Sequence, residues 1–244
     1  RMDGMNFAKV QDLLVEGNNI HSFELSLNSP DHADMIQFWT AGTDEPSRNV
    51  VIRNNILNSG TGDFTQSIFI GNEEVSRGAA GREMFYQNFT IEENVIINAQ
   101  THGISVGQAI DLTIRNNTLI QNPNSIRWGP PADHHVWRPA IRVNDAAVGV
   151  RIEDNLAWRV VGFDGQAGWR VARNLNIQNR SRMEPDHYTQ IFQGYPAGDL
   201  GVLETYFYRP DGPGGEGGLG GGEKRPKKKA PRNTRAGGTH RPTQ

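Results

Sequence analysis

Cysteine is absent from this 244-residue chain. That excludes a disulfide framework, thiol catalysis and cysteine-ligated metal sites. It fits secretion without oxidative folding, and fits a reducing compartment equally. Hydrophobic residues are scarce, at 36%, so a folded core has to be thin rather than globular. No apolar run is long enough to span a bilayer, which argues against a membrane partner. No secretory signal opens the chain. Its first residues already carry a repeat pattern, so the expectation is of a fold whose N-terminal cap is missing. The formal charge is −2, which speaks against specific duplex DNA as a partner.

What the chain does have is Asn in a recurring pattern. Six segments read as a β-branched residue, polar residues, an Asn-containing bend and then, in most copies, an apolar residue: Val15–Ile20, Ile52–Ile56, Ile91–Val95, Ile114–Thr118, Ile152–Leu156 and Val171–Leu175. Such self-similarity is the mark of a stacked repeat architecture. Asn tolerates the left-handed conformation and bonds to its own backbone, so each unit reads strand, tight bend, strand. With residues 19, 55, 94, 117, 155 and 174 as markers, the intervals are 36, 39, 23, 38 and 19. The two shortest suggest a β-solenoid coil of roughly 20 residues. The longer ones are the same coil with loop insertions, placed near 40–48, 72–87 and 122–138. Stacked Asn side chains would bond one another along the axis, so their expected role is structural. Asn88-Phe89-Thr90 and Asn116-Asn117-Thr118 match a glycosylation acceptor, but they fall in or beside these bends and are discounted.

A second strand alternates with period two at Asp34–Phe38, Gln66–Ile70, His102–Val106, Pro139–Val143 and Gln190–Gln193. Ile36, Ile68, Ile104, Ile141 and Ile191 then form one inward ladder. Phe38, Ile70, Val106 and Val143 form the next. In a parallel solenoid successive coils lie about 4.8 Å apart, so register makes distant residues neighbours. Two positions before the inward Ile stand Asp34, Gln66, His102 and Pro139. One position after it stand Gln37, Phe69, Ser105 and Arg142. Three after stand Trp39, Gly71, Gly107 and Asn144. The first of these columns is polar in three coils, which suggests the edge of a polar groove. Trp39 and Phe69 offer flat apolar surface for sugar rings beside it.

These strands and bends resemble the right-handed parallel β-helix of the pectin-lyase-like superfamily over about residues 6–208. The stretch Asp31–Trp39 is similar to bacterial secreted β-helix proteins. The second-strand register also resembles polygalacturonase-type hydrolases, through Asp34, His102 and Arg142. Two of the three acids of that pattern are replaced, by Thr65 and Gln66, and its lysine by Asn144. Inverting hydrolysis needs a carboxylic acid and a carboxylate base, so elimination or C5 epimerisation of a uronate is the better match. There Arg142, with Gln66 or Gln37, can clamp the carboxylate, because guanidinium pairs with it in bidentate fashion. His102 is the candidate base and His32 the acid or second base. Pro30-Asp31-His32-Ala33-Asp34 resembles the motif of mannuronan C5-epimerases in residue types, though not in order. Pro185-Asp186-His187 echoes it, which allows a shared turn instead.

The expected catalytic set is therefore His102, Arg142, Asp34, His32 and Gln66. The substrate-binding set is Gln37, Trp39, Phe69, Ser105 and Asn144. No cofactor is required, although Asp31 and Asp34 can hold a hard cation such as Ca²⁺. The expected partner is an acidic polysaccharide and the expected location extracellular, of bacterial type. The alternative is a non-catalytic glycan-binding or structural β-helix. His102 is as well read as a turn-bonding residue, and Arg142 as a surface partner of Asp145. Gly103-Ile104-Ser105-Val106-Gly107 matches a nucleophile elbow in letters only, since no helix follows it.

The composition breaks at Arg209-Pro210-Asp211-Gly212. Residues 1–210 are read as the β-helix domain and 211–244 as a disordered Gly/Pro/Lys/Arg-rich tail. From Gly212 onward the tail holds eight Lys/Arg against Glu216 and Glu223, a balance of +6. Its Gly run lacks the Gly-Lys-Ser/Thr ending of a phosphate loop. Oligomeric state is left open by the sequence.

Overall fold

A computed structural model describes residues 3–22, 33–60, 65–122, 138–177 and 183, with the backbone of 206–207 and 223–224. The described strands form three six-stranded parallel sheets that share one core. This is a parallel β-helix. The first sheet contains Met5–Phe7 (β1), Ala33–Phe38 (β4), Thr65–Ile70 (β7), His102–Val106 (β10), Ala140–Val143 (β13) and Val160–Val161 (β16). The second contains Gln11–Glu16 (β2), Arg48–Arg53 (β5), Tyr86–Glu92 (β8), Ala109–Arg115 (β11), Val148–Glu153 (β14) and Arg170–Ala172 (β17). The third contains Asn19–His21 (β3), Ile56–Asn58 (β6), Val95–Asn98 (β9), Thr118–Gln121 (β12), Leu156–Ala157 (β15) and Leu175–Asn176 (β18). A two-residue antiparallel pair joins Tyr206–Phe207 to Glu223–Lys224.

The aliphatic ladders lie in register. Met5, Ile36, Ile68, Ile104, Ile141 and Val160 form one column. Phe7, Phe38, Ile70, Val106 and Val143 form the next. Each fully buried Ile contributes about 1.5–3 kcal/mol of transfer free energy. Ile191 lies outside the described residues. After Ile141 the column is continued by Val160 in β16, a strand of only two residues that is too short for its alternation to register as a pattern.

The bend between the second and third sheets carries the Asn ladder. Asn18, Asn55, Asn94, Asn117, Asn155 and Asn174 are linked side chain to side chain, each Nδ2 donating to the next Oδ1 at 2.9 Å. The same Oδ1 atoms accept the backbone N–H of the preceding rung at 3.0–3.1 Å. The first rung is thus Asn18 and not Asn19, and the first interval is 37. The reason is conformational. The residue before each rung is left-handed: Gly17, Asn54, Glu93, Asn116, Asp154 and Arg173, with φ between 52° and 70°. Gly17 meets that demand without strain and so fixes the rung at 18.

Beside the ladder runs a column of alternating charge. Glu16, Arg53, Glu92, Arg115 and Glu153 are consecutive register partners. Arg53 Nε lies 3.2 Å from Glu16, and Arg115 lies 2.7 Å from Glu92. A second left-handed column, Asp12, Asn49, Asn88 and Asp111, kinks the second sheet. Asn88 sits within β8, beside the bend.

Of the three insertions, the first is the described loop at 39–47. The second holds a short helix, Glu73–Ser76 (α1), and a single 3₁₀ turn at Arg82–Met84. Asn72 caps α1, accepts from Thr40 Oγ1 at 3.1 Å and donates to Met84 O at 2.9 Å. Thr40 N–H donates to Glu73 at 2.8 Å and Gly42 N–H donates to Glu74 at 2.6 Å. These bonds hold the two insertions together at the C-terminal ends of β4 and β7. Buried Tyr86 donates to Gly71 O at 2.5 Å, and its desolvation pushes the phenol pKa well above the ordinary range. Most of the third insertion, residues 123–137, lies outside the described residues, as does the tail apart from the backbone of 223–224.

Candidate functional site

Strands of the first sheet do not simply alternate at their entry. Met35 and Ile36 both belong to the core. Ser67 Oγ accepts from buried Asn98 at 2.8 Å, while the neighbouring Ile68 is also core. A Cβ on Gly103 would meet core Leu119 at 2.7 Å, and Ile104 is core as well. Two successive inward residues turn the preceding position, occupied by Asp34, Gln66 and His102, away from the core. For His102 the contacts show this directly: it meets Ser105 and Phe69, which stand on the outer face. The register then shifts between His102 and Ile104, so His102 opposes Ala140. The simple spacing argument pairs it with Pro139. The bulge at Gly103 accounts for the one-residue difference.

The outer column one position later is as the spacing indicates. Asn6, Gln37, Phe69, Ser105, Arg142 and Val161 are register partners, one per strand. Trp39, Gly71, Gly107 and Asn144 continue the ladder, each N–H donating to the carbonyl of the previous coil at 2.8–3.1 Å.

A surface groove of about 270 Å³ crosses β7, β10, β13 and β16, with Ser76 of α1 at its margin. Five of the ten expected site residues line it: Phe69, His102, Ser105, Arg142 and Asn144. His102 Nδ1 is 2.7 Å from Ser105 Oγ, and its backbone N–H donates to Gln100 Oε1 at 2.6 Å. The Phe69 ring meets the imidazole edge-on, with centroids 5.6 Å apart. Arg142 stands one strand further along, opposite Ser105. It is half-buried and makes no ion pair among the described residues, Asp145 included. Five other arginines, at 53, 77, 115, 170 and 173, are paired with carboxylates. Asn144 Oδ1 accepts from Ala146 N–H at 3.0 Å, which fixes the amide at the groove edge. No Asp or Glu is among the described residues lining the groove.

Comparison of the chain with protein-family models, curated proteins and solved structures finds no match. The reading of the groove therefore rests on its own chemistry.

The other expected residues lie elsewhere. Asp34 is fully buried in β4, and Gln66 and Gln37 are 7% and 8% exposed. Gln37 Oε1 accepts from Asn6 at 3.2 Å. Gln37 stands three strands from Arg142, about 14 Å at the ordinary spacing, and Gln66 is two strands away. Neither glutamine lines the groove with Arg142. Trp39 is half-buried at the end of β4 and outside the groove. Asp31 and His32 lie outside the described residues. Among the described residues, no group of three or more His, Asp or Glu is placed to hold a metal ion. Gly107 stands in the register column that the spacing indicates, whereas Ser76 comes from the way the second insertion folds over the strand ends. A larger depression of about 310 Å³ is lined by Val160, Phe163 and Asn174 among others. It lies at the edge of the last described coil and is an end of the described stack.

Proposed function

We propose that the groove binds an acidic polysaccharide and that the protein belongs with the pectin-lyase-like β-helices. The observation that carries this reading is Arg142: a half-buried guanidinium with no anionic partner among the described residues, in a groove lined by no described carboxylate. A buried or half-buried cation without a counter-ion is costly to keep, and a uronate carboxylate would supply one in bidentate form. Phe69 gives a flat face beside it for a sugar ring.

The chemistry assigned to the site is removal of a uronate C5 proton. His102 takes the proton, the C–H electron pair moves toward the carboxylate, and Arg142 stabilises the charge that develops there. In β-elimination the C4–O bond then breaks and a C4–C5 double bond forms, with a proton delivered to the leaving oxygen. In epimerisation a proton returns to C5 from the opposite face. Glycoside hydrolysis is disfavoured because it needs two carboxyl groups across the bond. Action on such a polymer fits an extracellular setting.

The test is turnover of a panel of uronate polymers, with and without Ca²⁺, followed by ultraviolet absorbance of the unsaturated product and by proton exchange at C5. Arg142→Ala and His102→Ala are each expected to lose roughly 100-fold or more. Full turnover in either variant would overturn the assignment. A second reading, non-catalytic glycan binding, is favoured by the lack of a carboxylic acid among the described lining residues. Its signature is saturable binding with no product and no exchange.

A further inference from the structure

We infer that anion binding in this groove is coupled to protonation of His102, with Ser105 as the positioning residue that holds the ring in place. The inference rests on the reading of the groove as an anion site. It deepens that reading, because it predicts how affinity and turnover respond to pH.

The geometry supplies two opposing influences on one imidazole, and a bound ligand would add a third. Ser105 Oγ lies 2.7 Å from His102 Nδ1. The imidazolium has a hydrogen on both ring nitrogens, so the hydroxyl accepts from Nδ1–H in that state and supports it. Arg142 acts in the opposite sense. It is the register partner of Ser105 on the next strand, and a second cation beside a guanidinium is disfavoured. A carboxylate bound to Arg142 cancels that repulsion. Ligand binding therefore favours the charged ring, and by linkage the charged ring favours the ligand by the same factor.

On β7 the neighbours are the Phe69 ring and neutral Gln66. Before β10, Gln100 is committed to the His102 backbone N–H. On β13 the charged group is Arg142. On α1 it is Glu73, whose Oε2 accepts from Thr40 N–H and Oγ1–H at 2.8 and 3.3 Å. Glu73 Oε1 approaches Gly71 at the groove wall, and that carboxylate is held by α1 and Thr40 whatever the ligand.

The coupling separates binding from chemistry. Protonation strengthens binding but removes the base that takes the C5 proton. As pH falls and the ring takes up its proton, KM is expected to fall while kcat also falls.

The experiment is titration calorimetry of the full chain with a defined oligogalacturonate and a defined oligoguluronate. It is run across the histidine range in buffers of different ionisation enthalpy. Wild type should take up a fraction of a proton per ligand, greatest near the ring's midpoint. Its affinity should rise about fivefold from the alkaline to the acidic side of that range. His102→Gln should abolish both effects. Ser105→Ala should move the midpoint to lower pH, seen also in the His102 ring signals of the ligand-free protein. A purely structural role for Ser105 would leave that midpoint unmoved. Unchanged thermal unfolding shows that each variant is folded. Binding with no proton uptake, or with the same pH dependence in His102→Gln, would overturn the inference alone. No oligouronate binding at any pH would overturn the anion-site reading and the coupling together.

Discussion

Replacing Asn117 tests the central structural claim, that buried amides hold the coils in register. Asn117 is fully buried. Its Oδ1 accepts the backbone N–H and Nδ2 of Asn94 at 3.1 and 2.9 Å. Its Nδ2 donates to Ile91 O and to Asn155 Oδ1, both at 2.9 Å. Asn117→Ala strands the Asn94 N–H and the Ile91 carbonyl in a dry interior. Each unsatisfied buried group costs about 1–3 kcal/mol, so the expected loss is about 3–5 kcal/mol, read from the urea midpoint and slope. Asn117→Asp is the sharper probe because the shape is kept. The carboxylate still accepts from Asn94, yet it turns lone pairs toward Ile91 O and Asn155 Oδ1. Burial and these acceptors raise its folded pKa above the ordinary value near 3.9. The folded state then binds the proton more tightly than the unfolded one. The variant is most stable below that value and loses stability as pH rises through the folded pKa. Asn18→Ala is the control at the first rung. It removes only the Nδ2 donor, and Asn55 Oδ1 still accepts from the Asn18 backbone N–H, so it should cost about 1 kcal/mol or less. If Asn117→Asp matched wild type at neutral pH, or if the two Ala variants lost equal stability, the ladder would not be the register device argued here.

Three further outcomes follow from named contacts. Glu93 holds a left-handed φ of 55°, a conformation that costs a non-Gly residue about 1–2 kcal/mol but is routine for Asn; Glu93→Asn should raise the urea midpoint by the equivalent of roughly 0.5–1 kcal/mol. Gly103→Ala drives a methyl to 2.7 Å from Leu119 and 2.8 Å from Pro139. A loss of about 1–3 kcal/mol is expected, together with weaker glycan binding as the bulge that presents His102 shifts. Arg115→Glu places three like charges in one column with Glu92 and Glu153, costing about 1 kcal/mol at low salt. That loss should shrink in molar salt, where screening shortens to about 3 Å; a salt-independent loss would point to packing instead.

Much of this architecture was legible because a solenoid repeats its own constraints. Asn in each bend, and Ile and Phe at fixed offsets after it, betray both the coil and the inward face. The misassignments share one origin. The pattern marks Asn19 where the ladder has Asn18, and sets Pro139 opposite His102 where the sheet has Ala140, because a single-residue offset changes no composition and shows only in the hydrogen bonds. The alternating column from Glu16 to Glu153 escaped notice because its members are 23 to 39 residues apart. Val160–Val161 escaped because two residues make no pattern.

The sequence by itself determined the coil, its bends and the outer column that holds Phe69, Ser105 and Arg142, since period-two alternation and stacking leave one arrangement for them. Only the tertiary structure decided which of the candidate polar residues meet. The bulge at Gly103 swings His102 onto Ser105, and the folded insertion at α1 walls the groove beside them. Asp34 and Gln37 share the same sheet, but three strand spacings separate them from Arg142 and neither lines the groove. Sequence order fixes which strand a side chain occupies; strand spacing and local twist fix what it can touch.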